Sequence, residues 1–163
     1  MIKVSHYKLK NEDMRIPELI EKGSIFVDYT LYDNTANIYK LCKNLLGIDQ
    51  ENDEEYILIP IDLSFQPLAV FLLKYYNVSS MKIYPKEVFT SILLTGAIGY
   101  YLVRYTPDVT LKVRTDEVEM CELINKLGLL FDLEFIDFVL INKNKYLSTK
   151  KEKLELLSNM TKK

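Results

Sequence analysis

The sequence predicts an α/β (α+β) domain in which helices cover the faces of a mixed central sheet. Its 163 residues fit one domain, and 48% apolar with 27% charged residues is typical of globular proteins. Short apolar runs alternate along the chain with amphipathic segments of helical period, which indicates both strands and helices. No repeat, linker or low-complexity segment divides the chain. We therefore expect a single domain, residues 1–163, with a sizeable core.

The first half begins with an N-terminal arm or strand region, residues 1–32, that includes a short helical stretch around Pro17 to Lys22. A core region, residues 33–148, follows. Its first helix is expected to begin at Asp33 as N-cap and to stop at Gly47. Three mostly apolar runs are then predicted as strands: Tyr56 to Ile61, Leu68 to Tyr75 and Ser80 to Ile83.

Two helices are predicted in the second half. Pro85 begins the first, at a position where its missing N–H is harmless. Thr115 caps the second, which carries two acidic residues in its first turn. The expected buried faces are Val88, Phe89, Ile92 and Leu93 in the first helix, and Val118, Cys121, Ile124 and Leu127 in the second.

Strands are expected before and after the second of these helices. They are Gly99 to Tyr105, Leu133 to Ile141 and the short Tyr146–Leu147. Residues 106–114 form a loop. The last segment, 149–163, is predicted as a basic helix with Leu154, Leu157 and Met160 as its apolar stripe.

Charge and cysteine usage limit the classes of function. The formal net charge of −2 gives no overall attraction to nucleic acid, and the basic tail is interpreted first as a solvated surface and second as a polyanion contact. No apolar run reaches the ~18 residues that span a bilayer, and no secretory signal is recognised. Cys42 and Cys121 are expected to be buried, reduced thiols in a cytoplasmic protein. A catalytic cysteine would need a histidine, and only His6 is present.

Several local motifs lie in an order that a known family shares. Ile61-Asp62 and Tyr84-Pro85-Lys86-Glu87-Val88-Phe89 match that family's Leu-Asp strand end and His-Pro-Arg-Glu-Val-Phe helix start without a gap. Ala97 to Val103 is similar to its small-residue helix end and next strand. Leu133 to Phe138 and Tyr146-Leu147-Ser148 are similar to Ile-x-x-Leu-Asp-His and Tyr-x-Ser. From about Tyr39 onward the chain thus resembles the RadC-type branch of the JAB/MPN (JAMM) metalloproteases, which implies a cytidine-deaminase-like sheet flanked by helices.

The resemblance also implies where a metal site would lie. Working hydrolases of that family hold zinc with His-x-His and, seven residues later, Ser-x-x-Asp, and a glutamate activates the zinc-bound water. These positions, and the proline after the second histidine, fall in this chain on Glu54 (or its neighbour Glu55), Arg104, Thr106, Pro107, Arg114 and Glu117. The histidine of Leu-Asp-His becomes Phe138 after the retained Asp137.

Both nitrogen ligands are thus replaced. Arginine stays protonated and cannot bind a metal, and threonine is a poor zinc ligand. We predict no cofactor and no catalysis of the family type. One hypothesis is that the Arg104 guanidinium takes the place of the cation and pairs with Glu54 or Glu117. The alternative is that Arg104 and Arg114 point into solvent, and an anion site built by the two arginines is a weaker hypothesis.

The leading prediction is a catalytically inactive RadC-like pseudoenzyme that acts as a protein-binding or scaffold module. The resemblance suggests a mobile-element or phage-encoded inhibitor or adaptor as its concrete form. Tyr75, Tyr76 and Tyr105 are candidate interface residues, with core packing as the alternative. Two other classes stay open: a nucleic-acid-associated, DNA-repair-like protein, and a metal-dependent hydrolase that uses Glu54, Glu117 and Asp108. A protein partner is expected, and a homodimer is left open.

Overall fold

A seven-stranded mixed sheet forms the centre of the protein. The computed structural model describes residues 1–10, 18–28, 31–46, 54–73 and 83–153. The strands are β1 (Ile2–Lys10), β2 (Glu18–Val27), β3 (Glu55–Ile61), β4 (Val70–Leu73), β5 (Gly99–Tyr105), β6 (Glu134–Ile141) and β7 (Tyr146–Ser148). The helices are α1 (Thr35–Leu46), α2 (Pro85–Ile92) and α3 (Thr115–Leu129), and residues 149–153 begin a further helical turn.

The sheet has the order β2-β1-β4-β3-β5-β6-β7. β1 runs parallel to β4 and β5 runs parallel to β6, whereas the other neighbours are antiparallel. β5 is buried along its whole length, and its residues are apolar or aromatic except for Gly99 and Arg104. This mixed sheet with helices on its faces confirms the predicted fold class and agrees with a JAB/MPN-like fold.

Two apolar clusters cover the two faces of the sheet, because successive residues of a strand point to opposite sides. On one face, Leu58 and Leu102 belong to the cluster that includes Val88 of α2 and Ile124 of α3. On the other face, the neighbouring residues of β3 and β5 pack with α1, whose buried side chains are Ile38, Leu41, Cys42 and Leu45. The domain therefore has three layers.

The N-terminal residues extend this sheet. β1 pairs with both β2 and β4, and Val4 is fully buried in the cluster beneath α1. The predicted helical stretch around Pro17 to Lys22 is wrong for its described residues, 18–22, which lie in β2. Pairs such as Lys8 with Ile20 satisfy the backbone as a ladder, so long-range pairing prevails over weak local helix signals.

The starts of α1 and α3 differ from the predictions by one residue, whereas α2 begins at Pro85 as predicted. At α1, the Asn37 N–H donates to the Asn34 side-chain oxygen at 3.1 Å, so Asn34 and not Asp33 is the cap. At α3, Thr115 is the first helical residue and not the cap. The Arg114 backbone N–H there donates to a carboxylate oxygen of Glu117 at 2.8 Å, which gives the last residue before the helix an acceptor inside its first turn.

The helix faces are confirmed only in part. Val88, Phe89, Ile92 and Ile124 are buried as predicted. Leu93 is 53% exposed because α2 ends at Ile92, and Val118 is 47% exposed because α3 buries Glu117, Ile124 and Gly128 instead. Most of the predicted Ser80–Ile83 strand and the stripe of Leu154, Leu157 and Met160 lie outside the described residues. Among the helices described, none is long and apolar enough to cross a lipid bilayer.

A buried arginine–glutamate cluster as candidate functional site

Four charged side chains meet where the end of β5 approaches the start of α3. Arg104 is the penultimate residue of β5 and lies opposite Tyr56 of β3 in the antiparallel ladder. Directly opposed residues of such a ladder point to the same face, here the face covered by α3. Glu54 precedes β3, and Arg114 and Glu117 lie at the beginning of α3. The fold therefore gathers side chains from the start of β3, the end of β5 and the start of α3.

The Arg104 guanidinium bridges two carboxylates. Its Nη1 lies 3.1 Å from Oε1 of Glu117 and 3.5 Å from Oε1 of Glu54. Its Nη2 donates to the Lys112 carbonyl at 2.9 Å. The side chains of Arg104 and Glu117 are only 4% and 1% exposed. The structure thus contains the pairing predicted for Arg104, with both glutamates at once, and the alternative of an arginine in solvent does not hold for this residue.

Arg114 and Tyr56 complete the cluster. Arg114 Nη1 lies 3.2 Å from Glu54 and its Nη2 lies 3.3 Å from Glu117. The Tyr56 hydroxyl donates to Oε1 of Glu117 at 2.7 Å and receives a bond from Arg114 at 3.2 Å. Two arginines balance two glutamates, so the cluster is neutral. Buried charges are tolerated in such an arrangement because each has a partner.

Two pKa shifts follow from this packing. Burial raises the pKa of Tyr56 well above its ordinary value, and the neighbouring Glu117 carboxylate adds to the effect, so the hydroxyl remains a donor. Burial alone would lower the pKa of Arg114, but Glu117, Tyr56 and Glu54 outweigh it and raise the pKa. Both arginines therefore form ion pairs with carboxylates of the protein. This pairing favours a structural role over an anion site.

Thr106 and Pro107 lie beside the cluster and take no part in it. The Thr106 N–H donates to the Ile141 carbonyl at 3.0 Å, and its hydroxyl accepts from the Asp108 N–H at 3.3 Å. Pro107 is exposed on the same loop. The structure thus brings together four of the six predicted positions. Sequence reasoning missed Tyr56, because only the β3–β5 register places its hydroxyl against Glu117.

Zinc, the metal that the family resemblance implies, does not fit these residues. A guanidinium has no lone pair for a metal, and Arg104 already occupies the space between the two carboxylates. Within the described ranges, no three His, Cys, Asp or Glu side chains are grouped so as to hold a metal ion.

The remaining predicted positions have structural surroundings. Tyr105 is 1% exposed in the cluster beneath α1, an arrangement that agrees with the alternative of core packing. Two adjacent residues of a strand point to opposite faces of the sheet, and in this protein helices cover both faces. Tyr75 and Tyr76 lie outside the described residues. Asp137 is buried and accepts bonds from Ser148, Thr149 and the Lys150 N–H, which holds the end of the sheet to the helical turn after β7.

The sheet order, the helices on both faces and the loop that follows β5 define a JAB-type α/β domain. Residues 32–154 match the RadC-like JAB domain family, so the chain belongs to that family. A UPF0758 protein of Finegoldia magna (strain ATCC 29328 / DSM 20472 / WAL 2508) is 24% identical over 119 residues. The match covers 73% of this chain and 51% of that relative, so the chain spans about half of the relative's length.

Proposed function

We propose that this chain is a non-catalytic member of the RadC-like JAB family and acts as a protein-binding or scaffold module. One observation carries the proposal: Arg104, at the first zinc-ligand position implied by the resemblance, is buried and paired with both Glu54 and Glu117. A hydrolytic zinc site needs neutral nitrogen ligands and an open position for water. A pair of carboxylates bridged by a guanidinium offers neither.

Exposed apolar side chains support the binding role. Leu93 and Leu94 follow α2, and Leu129, Leu130 and Phe131 lie at the end of α3. The two helix ends are neighbours, since the rings of Phe89 and Phe131 are 5.4 Å apart. Apolar patches of this kind are typical of protein interaction sites. An inhibitor or adaptor encoded by a mobile element or phage is the concrete form that we propose.

Metal content tests the loss of catalysis. The purified, untagged protein is exposed to zinc, separated from free metal and measured by elemental mass spectrometry. We expect far less than one zinc per chain. A variant with Arg104→His and Thr106→His, which retains the Glu117 carboxylate, is the matched comparison for zinc bound at this position. Stoichiometric zinc in the unmodified protein would contradict the proposal.

The exposed patch tests the binding role separately. Leu94→Glu with Leu130→Glu should abolish the retention of proteins that copurify with the unmodified chain. Val109→Glu, at an exposed apolar residue of the loop after β5, is the control and should retain them. Circular dichroism establishes that both variants are folded. Equal retention by the two variants would show that the patch is not the binding surface.

A group of exposed lysines is the feature on which the nucleic-acid-binding alternative can be tested. Lys143, Lys145, Lys150 and Lys151 are exposed around β7, next to a partly exposed Tyr146. Contacts between lysines and phosphates release counterions, so their affinity falls steeply with salt. Fluorescence anisotropy with a labelled single-stranded oligonucleotide, at low and at physiological salt, decides the matter. Binding that persists at physiological salt would favour this alternative over the scaffold role.

A further inference from the structure

A pocket of about 350 Å³ opens on the face of the sheet that α1 covers, away from the arginine–glutamate cluster. Its walls come from the start of α1, from β5 and β6, and from the chain around the end of β7. Its size lies within the range of pockets that hold small organic ligands. The lining contains no residue of the arginine–glutamate cluster, so a ligand here would occupy a separate site.

Tyr101 brings a hydroxyl without a partner to this pocket. The residue is 1% exposed, and no group in the described part of the chain forms a hydrogen bond with its hydroxyl. Tyr100, also fully buried but on the other face, donates to the Ile124 carbonyl at 3.1 Å. Burial raises the pKa of Tyr101 and nearby carboxylates add to the effect, so the hydroxyl remains a donor. Buried hydroxyls are nearly always satisfied, so we expect its partner from the pocket that it lines.

The first turn of α1 brings two more donors. The N–H groups at the start of a helix have no acceptor inside that helix. The Asn37 N–H is satisfied by the Asn34 side chain. Those of Thr35 and Ala36, which both line the pocket, have no acceptor among the described residues. At the start of a helix of 12 residues, such N–H groups and the helix dipole together favour an anion.

One carboxylate in the lining, that of Asp137, is already satisfied. Its oxygens accept bonds from three hydroxyls and one backbone N–H, which belong to Thr35, Ser148, Thr149 and Lys150. A carboxylate has about four acceptor positions. The charge of Asp137 is therefore stabilised within the protein and requires no cation in the pocket.

Two lysines supply positive charge at the edge of the pocket. Lys150 and Lys151 line it, and both are exposed. Neither forms an ion pair within the described ranges. Asp33, the other carboxylate of the lining, is also exposed, so water and salt screen its charge. The groups left without partners are thus mainly donors and cations, which suit a phosphate or a carboxylate.

We propose that this pocket binds a small organic anion, whose phosphate or carboxylate group lies against the first turn of α1 and the Tyr101 hydroxyl. The remaining wall includes Ala36, Ile136 and the ring of Tyr146, which is 42% exposed. An apolar part of the ligand would cover this wall. The inference does not depend on the proposed function, because neither the arginine–glutamate cluster nor the apolar ends of α2 and α3 take part in it.

Nuclear magnetic resonance of the full-length, isotope-labelled protein tests this site. Phenyl phosphate, benzoate and phenol are the probes, because they share a ring and differ in the charged group. We expect phenyl phosphate or benzoate to shift the amide signals of Thr35 and Ala36, and phenol to leave them in place. The anion that binds more tightly identifies the group that the site prefers.

Tyr101→Phe should weaken the binding of that anion about ten-fold, because a hydrogen bond to a charged group contributes more than one between neutral groups. Tyr100→Phe, at an equally buried residue of the same strand, is the matched control and should bind as the unmodified protein does. Urea denaturation establishes that both variants are folded. Removal of a hydroxyl that has no partner in the protein should leave the stability of Tyr101→Phe nearly unchanged.

A second pair of variants uses exposed positions that the core does not need. Lys150→Gln with Lys151→Gln should weaken the binding several-fold. Lys143→Gln with Lys145→Gln removes two exposed lysines outside the pocket and should not. If neither anion shifted the Thr35 and Ala36 signals, water alone would satisfy Tyr101 and the proposal would be overturned. Equally tight binding of phenol, or unchanged binding in Tyr101→Phe, would also overturn it.

Discussion

Arg104 supplies from within the chain the positive charge that two glutamates need. Glu117 is almost completely buried, and its carboxylate faces Arg104 at 3.1 Å. Arg104→Ala should therefore leave an excess negative charge in a dry environment. We expect a loss of roughly 3 kcal/mol in the free energy of unfolding, as is typical when one partner of a buried ion pair is removed. Urea denaturation followed by circular dichroism measures it.

Lys126→Ala is the matched control for Arg104→Ala, because Lys126 is exposed on α3. Removal of a surface lysine should change the free energy of unfolding by less than about 0.5 kcal/mol. If Arg104→Ala proved as stable as this control, the cluster would contribute nothing to the fold. Its role would then have to be sought in binding.

The buried thiol of Cys42 makes stability depend on alkaline pH. Burial raises the pKa of Cys42 from 9.0 to about 12. The unfolded chain then loses this proton first, so the stabilisation is complete below pH 9 and declines as the pH rises toward 12. Cys42→Ala should flatten the slope of unfolding free energy against pH in this interval by about 1.4 kcal/mol per pH unit. Identical slopes above pH 9 in Cys42→Ala and the unmodified protein would refute the role of the Cys42 thiol. Between pH 6 and 8 the two slopes should coincide, which serves as the control.

At the scale of elements, α3 approaches the sheet closely through Gly128. A Cβ atom at this position would lie 2.6 Å from the Tyr100 hydroxyl, which donates to the Ile124 carbonyl. Gly128→Ala should thus destabilise the protein by about 1–2 kcal/mol, since crowding outweighs the better helix propensity of alanine. In a Tyr100→Phe background the crowding hydroxyl is absent, so the same substitution should cost less. A double-mutant cycle by urea denaturation measures this coupling, and additive effects would argue against the close contact.

The elements that sequence predicts best are those whose pattern is continuous. The apolar runs of β3, β5 and β6 and the proline at the start of α2 appear where expected. Helix caps were displaced by one residue, because Asp33 and Asn34 are both good caps and only the backbone geometry selects Asn34. The prediction of a short helix is wrong for residues 18–22, because these residues pair with β1. This ladder is a long-range interaction that the local sequence pattern does not contain.

The candidate site was predictable in its parts and not in its geometry. The resemblance identified Glu54, Arg104, Arg114 and Glu117 as positions of interest, and the chemistry of arginine excluded it as a zinc ligand. The fact that one guanidinium reaches two carboxylates depends on distances of 3.1 and 3.5 Å between three elements. No local pattern encodes such distances. The same holds for Tyr105, whose burial results from helices on both faces of the sheet.

At the scale of the whole molecule, the sheet extends beyond the part that matches the family. The match begins at residue 32, but β1 and β2 precede it and form one edge of the same sheet. Val4 of β1 is fully buried in a cluster with Ile38 of α1 and Val103 of β5. The N-terminal strands therefore share a core with the family domain, and we expect all of these elements to unfold together.

Val4→Ala tests this continuity. Loss of two buried methyl groups should lower the free energy of unfolding by about 1–2 kcal/mol. Lys3→Ala on the same strand removes a half-exposed side chain that pairs with Glu21 at 3.4 Å, and it should have little effect. Unfolding is followed by far-ultraviolet circular dichroism and by alkylation of Cys42, which lies in the same cluster as Val4. Both probes should shift together in Val4→Ala. If Val4→Ala unfolded no more readily than the unmodified protein by either probe, β1 and β2 would contribute no stability to the rest of the domain.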